Sequence, residues 1–370
     1  MLHSEASSCH SSKPKVSVPA PRTLSEASSL RFSKHFQPCV YYSPGKRVRP
    51  ASTEQPLGVA SPEVFESANS DSRDVVPHRR LRLLTIGGSD SGGGAGIQAD
   101  LKTFAAHGAY GMSAITALTA QNTCEVRAVQ EVSPSIVAAQ IDAVLQDIGA
   151  DAIKIGMLAS AEIVHAVAER LRAYIFGNSG SAQRPLPIVV DPVMIAKSGA
   201  SLLAADAIEV MAAELLPLAT VVTPNLPELE RLTGCSVAGE DERCRASEVL
   251  AARGPAVLAK GGHANRSVWG GARTAEGSAE AEVEDIVVDL LLAANSWYRF
   301  THPRLASRST HGTGCTLSSA IAVHLAAGQD LPKAVAEALT YLHGAIASAY
   351  PLGRCWGPVD HVYLLERKAT

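Results

Sequence analysis

Residues 309–322, "STHGTGCTLSSAIA", set a cysteine where a run of small residues gives way to an apolar, helix-like pattern. That position is chemically loaded. The first turn of a helix leaves backbone N–H groups without partners and carries the positive end of the peptide dipoles, so it attracts anions. Gly312 and Gly314 would let the backbone approach an anion without interference from a Cβ. The same field would lower the pKa of Cys315 and favour its thiolate. One segment therefore offers an anion cradle and a candidate base.

Further groups with chemical potential recur at regular places along the chain. Gly87, Gly88 and Asp90 follow a first apolar run; Gln121 and Asn122 follow a second, Met157 a third and Asp191 a fourth. Asn225 and Glu228 follow a fifth, and Lys260, Gly261 and Gly262 a sixth. Each alone could serve a turn. Together they lie where strands end, and in an open α/β sheet ligands bind in the crevice beyond the carboxyl ends of the strands.

The elements that would hold these residues are legible. "LRLLTIGG" at 81–88 has the composition of a buried strand, and "IQADLKTFAAHG" at 97–108 sets Ile97, Leu101, Phe104 and Ala105 on one helical face. The alternation continues through "MSAITALTA", "PSIVAAQIDAVLQDIG", "DAIKIGML", "AEIVHAVAERL", "PIVVDPVM", "AADAIEVMAAELL", "ATVVTP" and "LPELERLTG". Strands apolar on both faces, alternating with helices, predict a mainly parallel sheet covered on two sides. After a helix at 242–253 and the strand "AVLAKGG", "IVVDLLL" and "WYRFTHP" read as a hairpin or edge, and helices at 314–327 and 331–348 close the domain. Residues 264–283, rich in Gly and Ala, read as a surface insertion.

Composition narrows the function classes. With 370 residues, 46% hydrophobic, the chain can bury a substantial core. A net charge of −3 argues against a nucleic-acid or membrane-surface role, which would need a concentrated basic face. No apolar run reaches the ~18 residues of a membrane span. Seven cysteines without C-x-x-C spacing suggest neither a disulfide framework nor a zinc site, and so a reducing compartment. "GAGIQA" at 94–99 fits a dinucleotide fingerprint, but it stands several residues beyond its strand, and "TALTAQNT" lacks the acid expected ~20 residues on. An oxidoreductase is therefore disfavoured, and a Walker-type phosphate loop is absent.

The first 80 residues differ from the rest. They are rich in Ser and Pro, without sustained periodicity, and up to residue 50 the basic Lys13, Lys15, Arg22, Arg31, Lys34, Lys46, Arg47 and Arg49 face only Glu5 and Glu26. This is the composition of a disordered N-terminal extension and of an organelle transit peptide. Abundant serine favours the plastid, with mitochondrion or cytoplasm as alternatives.

In order, "TIGGSDSGGGAGIQADLKTF", "TALTAQNT", "KIGML", "VVDPVMIAKSG", "TPNLPE", "AKGGH" and "STHGTGCTLSSA" resemble the hydroxymethylpyrimidine/phosphomethylpyrimidine kinases of thiamin biosynthesis, in the ribokinase-like superfamily. The resemblance runs from about Leu81 to "GPVDHVY". It implies a three-layer αβα domain over 81–370 that uses ATP and Mg²⁺ to phosphorylate 4-amino-5-hydroxymethyl-2-methylpyrimidine, first to its monophosphate and then to its diphosphate. By motif it assigns Gly88, Asp100, Gln121, Met157 and Val193 to the pyrimidine pocket, and Asp191 and Glu228 to the metal. Asn225 and Lys260 fall to the nucleotide phosphates, and Gly312, Thr313 and Gly314 to an anion hole. Cys315 would take the proton of the hydroxymethyl group. The resemblance also implies a homodimer, and it leaves open a pyridoxal kinase on the same scaffold. A silent binding protein would be expected to have lost some of these groups, and all are present.

Overall fold

The computed structural model describes residues 79–177, 185–196, 199, 202–262 and 285–366. The N-terminal extension up to residue 78 and the insertion at 264–283 lie outside the described residues.

Among the described residues the strands form one sheet in the order β3-β2-β1-β4-β5-β6-β7-β8-β9. These are β1 (Arg82–Asp90), β2 (Tyr110–Gln121), β3 (Val126–Glu131), β4 (Ala152–Ile155), β5 (Ile188–Val190), β6 (Val221–Val222), β7 (Ala256–Ala259), β8 (Ile286–Ala293) and β9 (Ser296–Pro303). From β2 through β1, β4, β5 and β6 to β7 every pair is parallel. Antiparallel neighbours close both ends, β3 on β2 and the hairpin β8–β9 on β7. The expected mainly parallel sheet is what forms, with 286–303 as an edge hairpin.

The helices are α1 (Gly96–Ala106), α2 (Pro134–Asp147), α3 (Ala161–Gly177), α4 (Ala205–Val210), α5 (Leu226–Thr233), α6 (Glu240–Ala251), α7 (Thr313–Ala326), α8 (Leu331–Ala347) and α9 (Tyr363–Glu366). Consecutive strand residues point to opposite faces, and two cores result. Leu84, Ile153, Val190 and Val222 pack with Val137 of α2 and Ile163 of α3, while Leu83, Ala152, Val189 and Val221 pack with Phe104 of α1, Ile321 of α7 and Val335 of α8. Sandwiched strands must be apolar throughout, which is why their sequences show no alternation. The chain forms the ribokinase-like αβα fold.

Two elements escape the sequence reading. β3 ("VRAVQE") is exposed along nearly its whole length, so no buried face marks it. α9 is a single turn after the last long helix. The helix expected over "AADAIEVMAAELL" is also less regular than its periodicity suggests, because α4 passes into a π turn at Met211–Leu215 and a 3₁₀ turn at Leu216–Leu218. Pro217 lacks the N–H that would continue the ladder.

A further departure concerns cysteine. Cys124, in the β2–β3 turn, forms a disulfide with Cys355, 231 residues later. That separation hides the pair from any spacing argument. The inference of a reducing compartment, which rested on unpaired thiols, loses that support.

Candidate active site

Strand β1 ends in a carboxylate that organises the loop after it. Asp90 accepts hydrogen bonds from the backbone N–H groups of Gly92, Gly94 and Ala95 at 2.8, 3.1 and 2.9 Å, and its Oδ2 lies 2.8 Å from His311 Nε2. Burial alone would raise the Asp90 carboxyl; the hydrogen bond and charge of His311, with the backbone donors, outweigh it and hold the pKa below the ordinary value. The glycines of "GAGIQA" have a packing role here. A Cβ on Gly94 would strike the His311 ring, and one on Gly96 the carbonyl of Gly88. Gly94 brings this loop against the 311–314 turn, and Gly96 brings it against β1.

Helix α7 starts at that turn. Its N-cap is Gly312, at φ 82°, and no side chain caps the helix, so the N–H groups of its first turn face the cavity without a side-chain partner. Only glycine fits at 312, because φ is left-handed and a Cβ would meet the carbonyl of Gly94. Thr313 Oγ1 donates to the Thr310 carbonyl at 3.2 Å. A Cβ on Gly314 would lie 3.2 Å from Asp191 Oδ2 and 3.3 Å from Lys260 Nζ, so the helix start abuts both charges.

Those charges form one group. Lys260 Nζ is 2.7 Å from Asp191 Oδ1, which also accepts from Thr223 Oγ1 at 3.1 Å. Burial opposes the Lys260 charge, but Asp191 and Glu228 more than offset it and raise its pKa. Asn225 and Glu228 make a capping box on α5: Asn225 Oδ1 accepts from Glu228 N at 2.9 Å, and Glu228 Oε2 accepts from Asn225 N at 2.8 Å. Burial pushes the Glu228 carboxyl up to about 7, with Lys260 opposing and Asp191 reinforcing the shift.

Cys315, in the first turn of α7, is only 9% exposed. Here the sequence reading of a lowered pKa is corrected. Burial pushes the thiol up to about 11, Lys154 and a hydrogen bond from Gly96 N–H pull it down, and Asp100 and Asp191 push it further up. Desolvation of the buried side chain is the largest of these effects. The resting group is a thiol.

The remaining sequence-assigned residues line the same cavity, of about 670 Å³. Met157 covers Gly88 so closely that a Cβ there would stand 2.8 Å from its sulfur. Gln121 and Val193 also border it. Asp100 borders it too, but is held from within. It is 0% exposed, with Oδ2 accepting from Thr85 Oγ1 at 2.6 Å and Lys154 Nζ at 2.9 Å and Oδ1 accepting from Ser319 Oγ at 2.7 Å. Both oxygens accept hydrogen bonds within the protein, so the carboxylate anchors Lys154 while bordering the cavity.

Sequence reasoning passed over Lys154 and His311. The first had a signal, a lone lysine inside the apolar strand "AIKI", where an unpaired charge could not remain. It also missed the far end of the cavity, where Leu339, Leu342, His343 and Ile346 of α8 meet Asp289 and His302 of the edge hairpin. His343 Nε2 is buried there without a hydrogen-bond partner, which leaves a ring nitrogen for a ligand. Among the described residues no three His, Cys, Asp or Glu side chains cluster to cage a metal. Asp191 and Glu228, two carboxylates on one cavity, suit an ion that binds through few protein oxygens.

Residues 90–360 match the family model described as phosphomethylpyrimidine kinase. The chain belongs to this kinase family. It is 47% identical over 284 residues to the hydroxymethylpyrimidine/phosphomethylpyrimidine kinase of Streptomyces coelicolor, covering 76% of this chain and 95% of that protein. It is 46% identical over 294 residues to the thiamine biosynthesis bifunctional protein ThiED of Geobacter sulfurreducens, covering 79% of this chain but only 54% of that protein. The crystal structure of phosphomethylpyrimidine kinase from Clostridium difficile superposes with a TM-score of 0.58 at 42% identity, covering 72% of this chain and all of that one (100%). Pyridoxal kinase from Staphylococcus aureus, solved with AMP-PCP and pyridoxal, gives a TM-score of 0.64 at 32% identity over 77% of this chain and 94% of that one. As a family member the chain is a kinase, and its cavity joins the helix-start cradle to partly apolar lining at Met157 and Val193.

Proposed function

We propose that this kinase transfers the γ-phosphoryl group of ATP to the hydroxymethyl group of 4-amino-5-hydroxymethyl-2-methylpyrimidine, and then a second phosphoryl group to the resulting monophosphate. The observation that carries the reading is the meeting, in one cavity, of Cys315, the uncapped start of α7, the Asp191–Lys260 pair and the pocket of Gly88, Gln121 and Met157. A cysteine whose thiolate can take a proton beside an anion cradle serves an alcohol nucleophile, and a carboxamide in a cavity with apolar lining serves a flat heterocycle.

In this reading the pyrimidine lies against Met157 and Val193, with Gln121 at its polar edge. The N–H groups of Gly312, Thr313 and Gly314 stabilise charge on the transferring group, and Lys260 neutralises the phosphates beside it. Asp191 and Glu228 would hold Mg²⁺, which when bound supplies charge neutralisation on the nucleotide. Asn225 keeps Glu228 in place through the capping box. The minor thiolate form of Cys315 receives the alcohol's proton as the alcohol oxygen attacks. His343 and the apolar residues of α8 receive the nucleotide base.

Incubation of the full chain with ATP, Mg²⁺ and hydroxymethylpyrimidine, with pyridoxal in parallel, tests this directly. Monophosphate followed by diphosphate is the expected course, and a chelator should abolish both. A clear preference for pyridoxal would overturn the assignment in favour of the second reading, which the likeness to the Staphylococcus aureus enzyme keeps in view.

We also infer plastid import through residues 1–80, on their basic, Ser-rich composition. A fusion of these residues to a fluorescent reporter that stayed diffuse in the cytosol would reject this. A homodimer is the proposed assembly. Sedimentation at the monomer mass would exclude it.

A further inference from the structure

The hydrogen-bonding capacity around Gln121 is over-determined, and counting its protons leads to a specificity device. His311 Nε2 lies 2.8 Å from Asp90 Oδ2. A carboxylate only accepts, so Nε2 carries a proton whether the ring is neutral or charged. One end of the Gln121 carboxamide stands 3.3 Å from that same nitrogen, and the other end 3.1 Å from Thr119 Oγ1. Thr119 Oγ1 in turn lies 2.9 Å from the carbonyl of Ser89. A carbonyl cannot donate, so the single hydroxyl proton of Thr119 goes to Ser89, and Oγ1 is left to accept from Gln121.

The two ends of an amide are told apart by their partners. A protonated histidine nitrogen cannot accept. Its one N–H goes to Asp90 and is shared only at longer range with Gln121, and an amide NH₂ at 3.3 Å would face that N–H donor to donor. The end of Gln121 beside His311 is therefore assigned as its oxygen. The end beside Thr119 must be its NH₂ group. Each end then keeps one unused capacity, a lone pair on the oxygen and an N–H on the nitrogen. Gln121 borders the cavity, so both are available to a ligand.

We propose that His311, anchored by Asp90, and Thr119 together lock the Gln121 carboxamide in this orientation, so that the cavity presents an acceptor and a donor side by side. The proposal rests on the pyrimidine kinase reading. An acceptor beside a donor matches an aminopyrimidine edge, where an exocyclic amino group donates and the neighbouring ring nitrogen accepts, the pairing by which Gln and Asn read adenine. A 4-oxopyrimidine presents the reverse pair, a carbonyl and a ring N–H. His311 is thus a positioning residue for specificity, acting through Gln121.

The test compares kcat/KM of the full chain for the 4-amino substrate and for its 4-oxo analogue. The wild type is expected to favour the amino compound by about 100-fold or more, because a mismatched edge leaves buried polar groups unpaired. His311→Ala frees the carboxamide to turn over, and the preference should fall by roughly tenfold or more, mainly through the two KM values. His311→Gln, which restores an N–H donor, should recover most of it. Equal losses on both substrates in His311→Ala, with the ratio intact, would mean a merely structural role and overturn the proposal. If His311→Ala does not fold, Thr119→Val removes the other half of the lock: a fall in the ratio supports the proposal, and an unchanged ratio overturns it. A wild type that phosphorylates neither pyrimidine would overturn the functional reading and this inference with it, whereas an active wild type with insensitive variants overturns this inference alone.

Discussion

At the scale of the residue, the proposed proton acceptor Cys315 is a buried thiol whose pKa is pushed up to about 11 by burial. Its base form is therefore scarce near neutrality and grows about tenfold for each pH unit. The first phosphorylation, which deprotonates an alcohol, should rise with that slope between about pH 6 and 9. The second, whose nucleophile is a phosphate monoester already anionic there, should not. Cys315→Ala should slow the first step by about 10²–10⁴-fold, the range of general-base contributions, and the second step far less. Single-turnover rates on each substrate check both expectations, and equal losses would remove Cys315 from the proton transfer. Gly312 offers a second residue-level test. At φ 82°, with the Gly94 carbonyl where a Cβ would go, Gly312→Ala should cost at least ~1–3 kcal/mol in urea denaturation.

At the scale of the element, the cavity floor is held by a buried ion pair joining three segments. Lys154 of β4 and Asp100 of α1 are 1% and 0% exposed, and Ser319 of α7 donates to the same carboxylate. Such a pair is costly to break on one side, since the remaining charge is left without a partner. Lys154→Met should therefore destabilise the protein by about 3–5 kcal/mol. Adding Asp100→Asn should restore much of that loss. Denaturation of both single variants and the double variant closes the cycle, and additive losses would show that the pair does not couple. The Lys was visible in the sequence as a charge in an apolar strand, but its partner was not, because the contact spans 54 residues.

At the scale of the whole molecule, the Cys124–Cys355 disulfide ties the β2–β3 turn to the segment after α8, which also donates Trp356 N–H to the Thr123 carbonyl at 3.1 Å. Closing so long a loop restricts the unfolded chain, so Cys355→Ser should lower stability by about 2–4 kcal/mol. Wild type in reductant should match the variant, and a variant as stable as the oxidised wild type would refute the constraint. The sequence by itself determined the layer architecture, since doubly covered strands must be apolar throughout and helices must carry a 3.6-residue stripe. It also fixed the family, because the ordered motifs sit at successive strand ends and helix starts. Only the tertiary structure decided the state of Cys315, the engagement of Asp100, the partnership of His311 with Asp90 and the joining of Cys124 to Cys355. Desolvation and long-range pairing depend on what surrounds a group in space, and a linear pattern records only what neighbours it along the chain.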